Sequence, residues 1–252
     1  MKSYKSYGKI VVIIQARTNS TRLPGKVLLN LLGQPVLIRV VERVLKSKII
    51  NEIIVATTNK KEDDVIVKLI QNYNNQKVYV FRGSEQNVLH RYFKAAEYFN
   101  ANIIVRITAD CPLIDPEVID KVIDNFLTSG SDYVSNILDE RTYPRGLDVE
   151  VFSFDTLKKV FKLAKKKDDK EHVTLYIRKN SSLFKTKNIK NNKDYSFYRW
   201  TLDEKEDYEL LKIIYNNVYP KNPNFLMKDV ILFLEKNPEI TKINEDIKQK
   251  NT

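Results

Sequence analysis

Ile10-Val11-Val12-Ile13-Ile14-Gln15-Ala16-Arg17-Thr18-Asn19-Ser20-Thr21-Arg22-Leu23-Pro24-Gly25-Lys26 is the stretch that decides the fold. Its first five residues form a β-branched apolar run, the length and composition of a strand buried on both faces. Residues 15–26 then place three cations (Arg17, Arg22, Lys26) and four small polar residues at the carboxyl end of that strand, where open α/β sheets hold their ligands. Hydroxyls and backbone N–H groups there suit phosphate oxygens; Arg22 can grip two oxygens and Lys26 acts as a point charge. The loop is neither a Walker A motif, since Lys26 precedes Val27 and the first glycine is missing, nor GxGxxG. The competing reading is a polar surface loop closed by a Pro-Gly turn.

Working outward, residues 53–57, 78–81 and 103–107 repeat the short apolar run, and helical stripes lie between them. Val36, Leu37, Val40, Val41, Val44 and Leu45 make the first stripe, Val65, Ile66, Leu69 and Ile70 the second, and residues 88–99 the third helix. Asp115-Pro116 reads as an N-cap with proline at the first helical position, ahead of Val118, Ile119, Val122 and Phe126. This alternation over residues 10–135 predicts an α/β fold, a mostly parallel sheet with helices on both faces. Residues 146–152 read as a strand and a helix carries Leu157, Val160, Phe161 and Ala164, with two shorter strands ending at Trp200. Asp203-Glu204-Lys205-Glu206 has capping-box spacing before Leu210, Leu211 and Ile214. One domain over residues 1–236 is expected, about 10–135 binding nucleotide and 136–236 covering an acceptor, with a polar, fraying tail over 237–252.

With 42% apolar and 30% charged residues and only 6 Gly among 252, the chain is neither disordered nor collagen-like. Cys111 has no disulfide partner, and it offers no zinc-ligand spacing with His90 or His172. Met1-Lys2-Ser3-Tyr4-Lys5 leads into an apolar run too short for a signal-peptide core, and no run spans a bilayer. A cytoplasmic protein is expected. The net charge of +11 admits nucleic acid, anionic membranes and phosphorylated small molecules alike. Lysine runs such as Lys165-Lys166-Lys167 read as solvated faces, and the aromatics lie in apolar periodic segments, which disfavours a nucleic-acid-binding module.

Five further segments accompany the loop: Arg82-Gly83-Ser84-Glu85 with Val88-Leu89-His90-Arg91-Tyr92; Arg106-Ile107-Thr108-Ala109-Asp110-Cys111-Pro112-Leu113-Ile114-Asp115; Tyr143-Pro144-Arg145-Gly146-Leu147-Asp148-Val149-Glu150-Val151-Phe152; Glu171-His172-Val173-Thr174; and Arg199-Trp200-Thr201-Leu202-Asp203. In this order they resemble the spore coat polysaccharide biosynthesis protein F family of cytidylyltransferases, relatives of the acylneuraminate and deoxy-manno-octulosonate cytidylyltransferases. The resemblance spans residues 10 to about 215. It implies a Rossmann-like, GT-A-like nucleotidyltransferase fold that binds CTP and Mg²⁺, transfers CMP to a sugar acid or related anionic acceptor in glycan synthesis, and releases pyrophosphate. The alternative within the class is another NTP with a sugar phosphate. The implied partners are CTP and an anionic sugar acid or phosphorylated acceptor, without nucleic acid or membrane; a homodimer is compatible with it.

The expected catalytic residues are Arg22, Lys26 and Asp110. Asp110 follows a buried strand on a loop closed by Pro112, so its carboxylate projects toward the cationic loop and can hold a hard cation; a turn or cap is the other reading. The resemblance supplies Asp203 as the second metal carboxylate, against a role as helix cap. Gln15, Ala16, Arg17, Ser20, Arg22 and Lys26 are expected around the nucleotide, with Ala56, Thr57, Thr58, Ser84 and Glu85 near the base. Asn87 stands where many relatives have an acid, and Arg106 either pairs with Asp110 or reaches a phosphate. For the acceptor the expected residues are Tyr143, Arg145, Gly146, Asp148, Glu150, Glu171, His172 and Arg199. Asp148 and Glu150 alternate along one strand and so share a face. A solvated face is the alternative for that pair. His172 could be structural, contact an anion or act as a base. Arg199 could bind the acceptor or orient Asp203.

Overall fold

A computed structural model describes residues 7–248; the signal-peptide question at Met1 to Lys5 lies outside them. In chain order the elements are β1 (Ile10–Gln15), β2 (Asn30–Leu31), β3 (Gln34–Pro35), α1 (Val36–Val44), β4 (Glu52–Thr58), α2 (Asp64–Tyr73), β5 (Val78–Gly83), α3 (Val88–Tyr98), β6 (Ile103–Thr108) and α4 (Pro116–Ser129). The second half holds β7 (Tyr133–Ser135), β8 (Glu150–Ser153), α5 (Phe154–Leu163), α6 (Lys167–Glu171), α7 (Leu175–Lys179), β9 (Thr186–Asn188), α8 (Lys205–Val218) and α9 (Met227–Lys236). Seven strands form one sheet in the order β5-β4-β1-β6-β8-β7-β9. β8 alone runs against the others, pairing antiparallel with β6 and β7.

Alternation along β1 sends Ile10, Val12 and Ile14 to one core and Val11 and Ile13 to the other. Helices α1, α2, α4, α8 and α9 cover the first face, and α3, α5 and α7 the second. Each fully buried Val, Ile or Leu in these layers contributes roughly 1.5–3 kcal/mol. The fold is of the expected class, a mostly parallel α/β sheet with helices on both faces. The chain moves from β1 outward through β4 to β5, then returns to place β6 on the other side of β1. That reversal opens a crevice beyond the carboxyl ends of β1 and β6, where Gln15 pairs in register with Thr108.

Three local expectations change. Val65, in the first turn of α2, stands at the margin of its stripe and is 44% exposed. The strand expected from residue 146 begins only at Glu150, because residues 145–146 turn beside 198–201 instead: Arg145 N donates to Tyr198 O and Trp200 N to Arg145 O. Gly146 has φ of 100°, and a Cβ there would stand 2.6 Å from the Trp200 carbonyl carbon, so the approach requires glycine. Beyond Asn237 the chain does not fray at once. Pro238–Asn244 forms a 3-10 helix packed on α8 and α9, and Asn244 is buried. No helix among the described residues is long and apolar enough to cross a membrane.

Candidate active site

The cationic loop is held at its start by a carboxylate. Asp63, buried beside the end of β4, accepts from Thr18 N at 2.7 Å and Thr18 Oγ1 at 2.8 Å through one oxygen, and from the Thr58 hydroxyl through the other. Burial works against its charge, but the bonds from Thr58 and Thr18 prevail and hold its carboxyl below the ordinary value. Thr18 O in turn accepts from Ser20 N and Gly25 N. Gly25 is left-handed, with φ of 70°, and opens the 3-10 turn Lys26–Leu28. The loop thus returns Lys26 into the crevice.

There Lys26 Nζ meets Asp110 Oδ2 at 2.6 Å, Asp203 Oδ1 at 2.8 Å and Leu202 O at 2.8 Å. Arg22 reaches the same Asp203 oxygen at 2.7 Å and Glu204 at 3.5 Å. Burial opposes the charge of both Lys26 and Asp110. Their mutual attraction, with Asp203, wins, raising the Lys26 pKa and lowering that of Asp110 to about 2. Asp110 O also accepts from Leu202 N at 2.8 Å, so the loop after β6 and the segment before α8 are zipped together.

Behind Asp203 stands a second layer of which the sequence reading offers only Arg199. Arg199 donates to Asp203 Oδ2 at 3.0 Å and grips Asp207 through two bonds, 2.9 and 3.1 Å. Asp207 Oδ2 accepts from Asp203 N and Glu204 N, and Asn244 Nδ2 donates to Asp207 Oδ1 and Arg199 O. The capping box is therefore Glu204 with Asp207, one residue later than its expected spacing. Asp203 is released from capping and faces the crevice.

Two clefts share His172, and the larger takes in Asp110 and Asp203. One, of about 440 Å³, is lined by Gln15, Ala16, Arg17, Glu85, Arg91 and Glu171, among others. The other, of about 760 Å³, is lined by Arg22, Asp110, Asp203, Gly146, Asp148 and four more arginines, Arg106, Arg141, Arg145 and Arg178. His172 lines both. Burial, more than its charged neighbours, lowers the His172 pKa, leaving it neutral at pH 7. In the larger cleft Arg141 is taken bidentately by Asp148, at 2.6 and 3.1 Å, and Arg106 by Glu150 and Gln15. Arg145 and Arg178 have no ion pair among the described residues, and Arg178 Nε is buried without a hydrogen-bond partner.

Several expected site residues stand elsewhere. Glu150 is 1% exposed and opposite Arg106 in the antiparallel register; Arg106, Tyr133 and Thr174 occupy its oxygens, so it is a buried counter-charge, not an acceptor ligand. It also lies on β8 while Asp148 precedes that strand, so the two do not form one carboxylate face. Tyr143 is in the core, its hydroxyl bonded by Lys121 at 2.9 Å. Arg199 binds Asp203 and Asp207 and lies outside the larger cleft, which corrects the acceptor reading in favour of the orienting one. Asn87 caps α3 by accepting from His90 N at 2.9 Å. Ala56, Thr57 and Thr58 are buried at the end of β4 outside both clefts. Ser84 Oγ accepts from Asn87 N, Glu85 pairs with Lys60 at 3.6 Å, and Ser20 folds back within the loop. Reasoning from sequence missed Asp63, Arg141, Arg178, Asp207 and Asn244. Of these only Asp207 had a signal, as the second acid-x-x-acid spacing at the start of α8.

Asp110 and Asp203 are the carboxylates that converge on one point, while no group of three or more His, Cys, Asp or Glu side chains suited to a metal gathers among the described residues. A family model described as cytidylyltransferase matches residues 11–244. The chain is 37% identical to the spore coat polysaccharide biosynthesis protein SpsF of Bacillus subtilis over 91% of its length and 95% of that protein's. An uncharacterized protein of Methanocaldococcus jannaschii is 42% identical over 96% of this chain and 97% of its own. A solved cytidylyltransferase from Leptospira borgpetersenii superposes with a TM-score of 0.86 at 35% identity, covering 96% of this chain and 99% of that one. A cationic loop at the switch point of the sheet, two converging carboxylates and likeness along nearly the whole chain agree: this chain is a nucleotidyltransferase and belongs to the cytidylyltransferase family.

Proposed function

We propose that the chain transfers CMP from CTP to an anionic sugar acid, releasing pyrophosphate. The observation that carries the reading is the larger cleft, which brings Asp110 and Asp203, both bonded to Lys26, together with Arg145 and Arg178, which make no ion pair among the described residues, and which shares His172 with the smaller cleft at the start of the cationic loop. The name of the SpsF relative supports a place in polysaccharide synthesis. A solved octulosonic acid CMP-synthetase complexed with CTP, of the same fold at a TM-score of 0.62, supports the nucleotide.

In this reading the smaller cleft takes the nucleoside, with Glu85 and backbone groups accepting the exocyclic amine of cytosine. Arg22 and Lys26 move onto phosphate oxygens. An acceptor oxygen attacks the α-phosphorus in line, the bond from that phosphorus to the bridging oxygen breaks, and pyrophosphate leaves with the electron pair. Neutral His172, at the junction of the clefts, takes the proton from an acceptor hydroxyl. Asp110 and Asp203 suit Mg²⁺, since two ionised carboxylates converging on one point are the protein share of a shell that phosphates and water complete. Bound there, the ion would add charge stabilisation at the phosphates.

The test is a pyrophosphate-release screen with divalent ion, pairing each NTP with sugar acids and sugar phosphates. CTP should exceed ATP and GTP by at least about tenfold, as a pyrimidine pocket leaves purine groups clashing or unpaired. Equal rates with all four nucleotides would refute the reading.

A further inference from the structure

Lys26 and Arg22 are assigned above to the phosphates, yet both sit on the carboxylates proposed for the metal. Lys26 Nζ makes three contacts below 3 Å, to Asp110 Oδ2, Asp203 Oδ1 and Leu202 O, which fills the three donors of an ammonium. Arg22 NH2 shares Asp203 Oδ1. The other Asp203 oxygen is fixed from behind by Arg199. One Asp110 oxygen and both Asp203 oxygens are therefore already taken by cations, and the negative charges of the pair are balanced within the protein. A dication approaching this point meets neutralised oxygens and two like charges.

We infer that Lys26, seconded by Arg22, is a stand-in for the divalent cation on Asp110 and Asp203, displaced when the triphosphate arrives. This rests on the proposed use of CTP and Mg²⁺. The triphosphate supplies the anionic oxygens that draw Lys26 and Arg22 off the carboxylates, and the exchange opens Asp110 and Asp203 to the metal. The backbone need not move. Val27 is buried and Gly25 closes the turn ahead of Lys26, while the lysine stem is flexible enough to swing. Metal and nucleotide binding are then positively coupled, and by linkage each strengthens the other by the same factor.

A purely structural Lys26, needed to hold the carboxylates together, makes the opposite forecast, because its loss would weaken the metal. Mn²⁺ titrations of the full chain, followed by electron paramagnetic resonance of free Mn²⁺ and by thermal unfolding, separate the two. Without nucleotide, wild type should bind Mn²⁺ weakly and show almost no thermal shift. Lys26→Met should bind it at least tenfold more tightly and be stabilised by it, with Arg22→Gln shifted less in the same direction. Adding CTP should raise wild-type Mn²⁺ affinity at least tenfold beyond what CTP alone binds. Should Lys26→Met fold poorly, Mn²⁺ should restore it, and Arg22→Gln carries the comparison. Unchanged or weaker Mn²⁺ binding by folded Lys26→Met, or no tightening in Arg22→Gln if Lys26→Met stays unfolded, overturns the inference. So does wild-type affinity independent of CTP. CTP-dependent turnover in either case would leave the proposed function standing; absence of CTP binding and turnover would bring both down.

Discussion

Two parts of the site hold their cations in opposite states. At the Lys26 cluster Arg22 and Lys26 are matched by Asp110, Asp203 and Glu204. Elsewhere in the larger cleft, Arg145 and Arg178 make no ion pair among the described residues. A polyphosphate brings a metal ion and several charges at once, so its site can rest neutral and exchange partners. A smaller acid brings few charges, and a guanidinium held ready spares it the cost of displacing an internal carboxylate.

The comparison breaks most readily at Glu150, the buried partner of Arg106. Glu150→Gln should cost about 3 kcal/mol or more of stability in denaturant unfolding, since it leaves Arg106 with an uncompensated buried charge. A loss below about 1 kcal/mol would mean that the cleft wall does not depend on this pair. In wild type, Asp110, Glu150 and Asp63 are all held below their ordinary values. Folded chains thus bind fewer protons than unfolded ones in acid. Stability should decline slightly as pH falls through the unfolded histidine range, where buried His172 resists protonation, and fall further through the unfolded carboxylate range toward about 2, where Asp110 protonates.

Next in size, Asp110→Asn should unfold cooperatively yet lose about a hundredfold or more in turnover, because a carboxylate proposed to hold the metal beside the α-phosphate is gone. Near-normal turnover would reduce Asp110 to a turn residue. Arg178→Ala sharpens the contrast between the two parts. The KM for the acceptor should rise about tenfold while that for CTP stays within about twofold, and Arg22→Ala should do the reverse. If Arg178→Ala shifts CTP instead, the two sides are wrongly divided. The smallest effect is expected at Asn87→Ala, about 1 kcal/mol of stability from the lost cap with CTP affinity unchanged.

The parallel half was legible because its strands and stripes announce themselves in hydrophobic period, and the cationic loop because its residue types cluster in sequence. Strand direction leaves no such trace. That β8 inserts against β6 and β7, carrying Glu150 to face Arg106, follows from tertiary pairing alone. The cap at α8 shows a different limit. Asp203-x-x-Glu206 and Glu204-x-x-Asp207 are equivalent as local signals, and Arg199, by capturing Asp207, selects the second. Asp63, Arg178 and Asn244 sit in ordinary polar stretches, and what makes each matter is what it meets across the fold.

The sequence separations across the cluster bear on how the chain comes to fold. Lys26 lies 84 residues from Asp110 and 177 from Asp203. Loops of that length close late, after local helices and neighbouring strands have formed. A chain emerging from the ribosome can build β1 through β6 and still have Lys26 and Asp110 without their third member. The cluster is completed only when the segment 198–204 docks between the loop after β6 and the turn at residues 238–244. Recovery of CTP binding during refolding should therefore trail the recovery of far-ultraviolet circular dichroism.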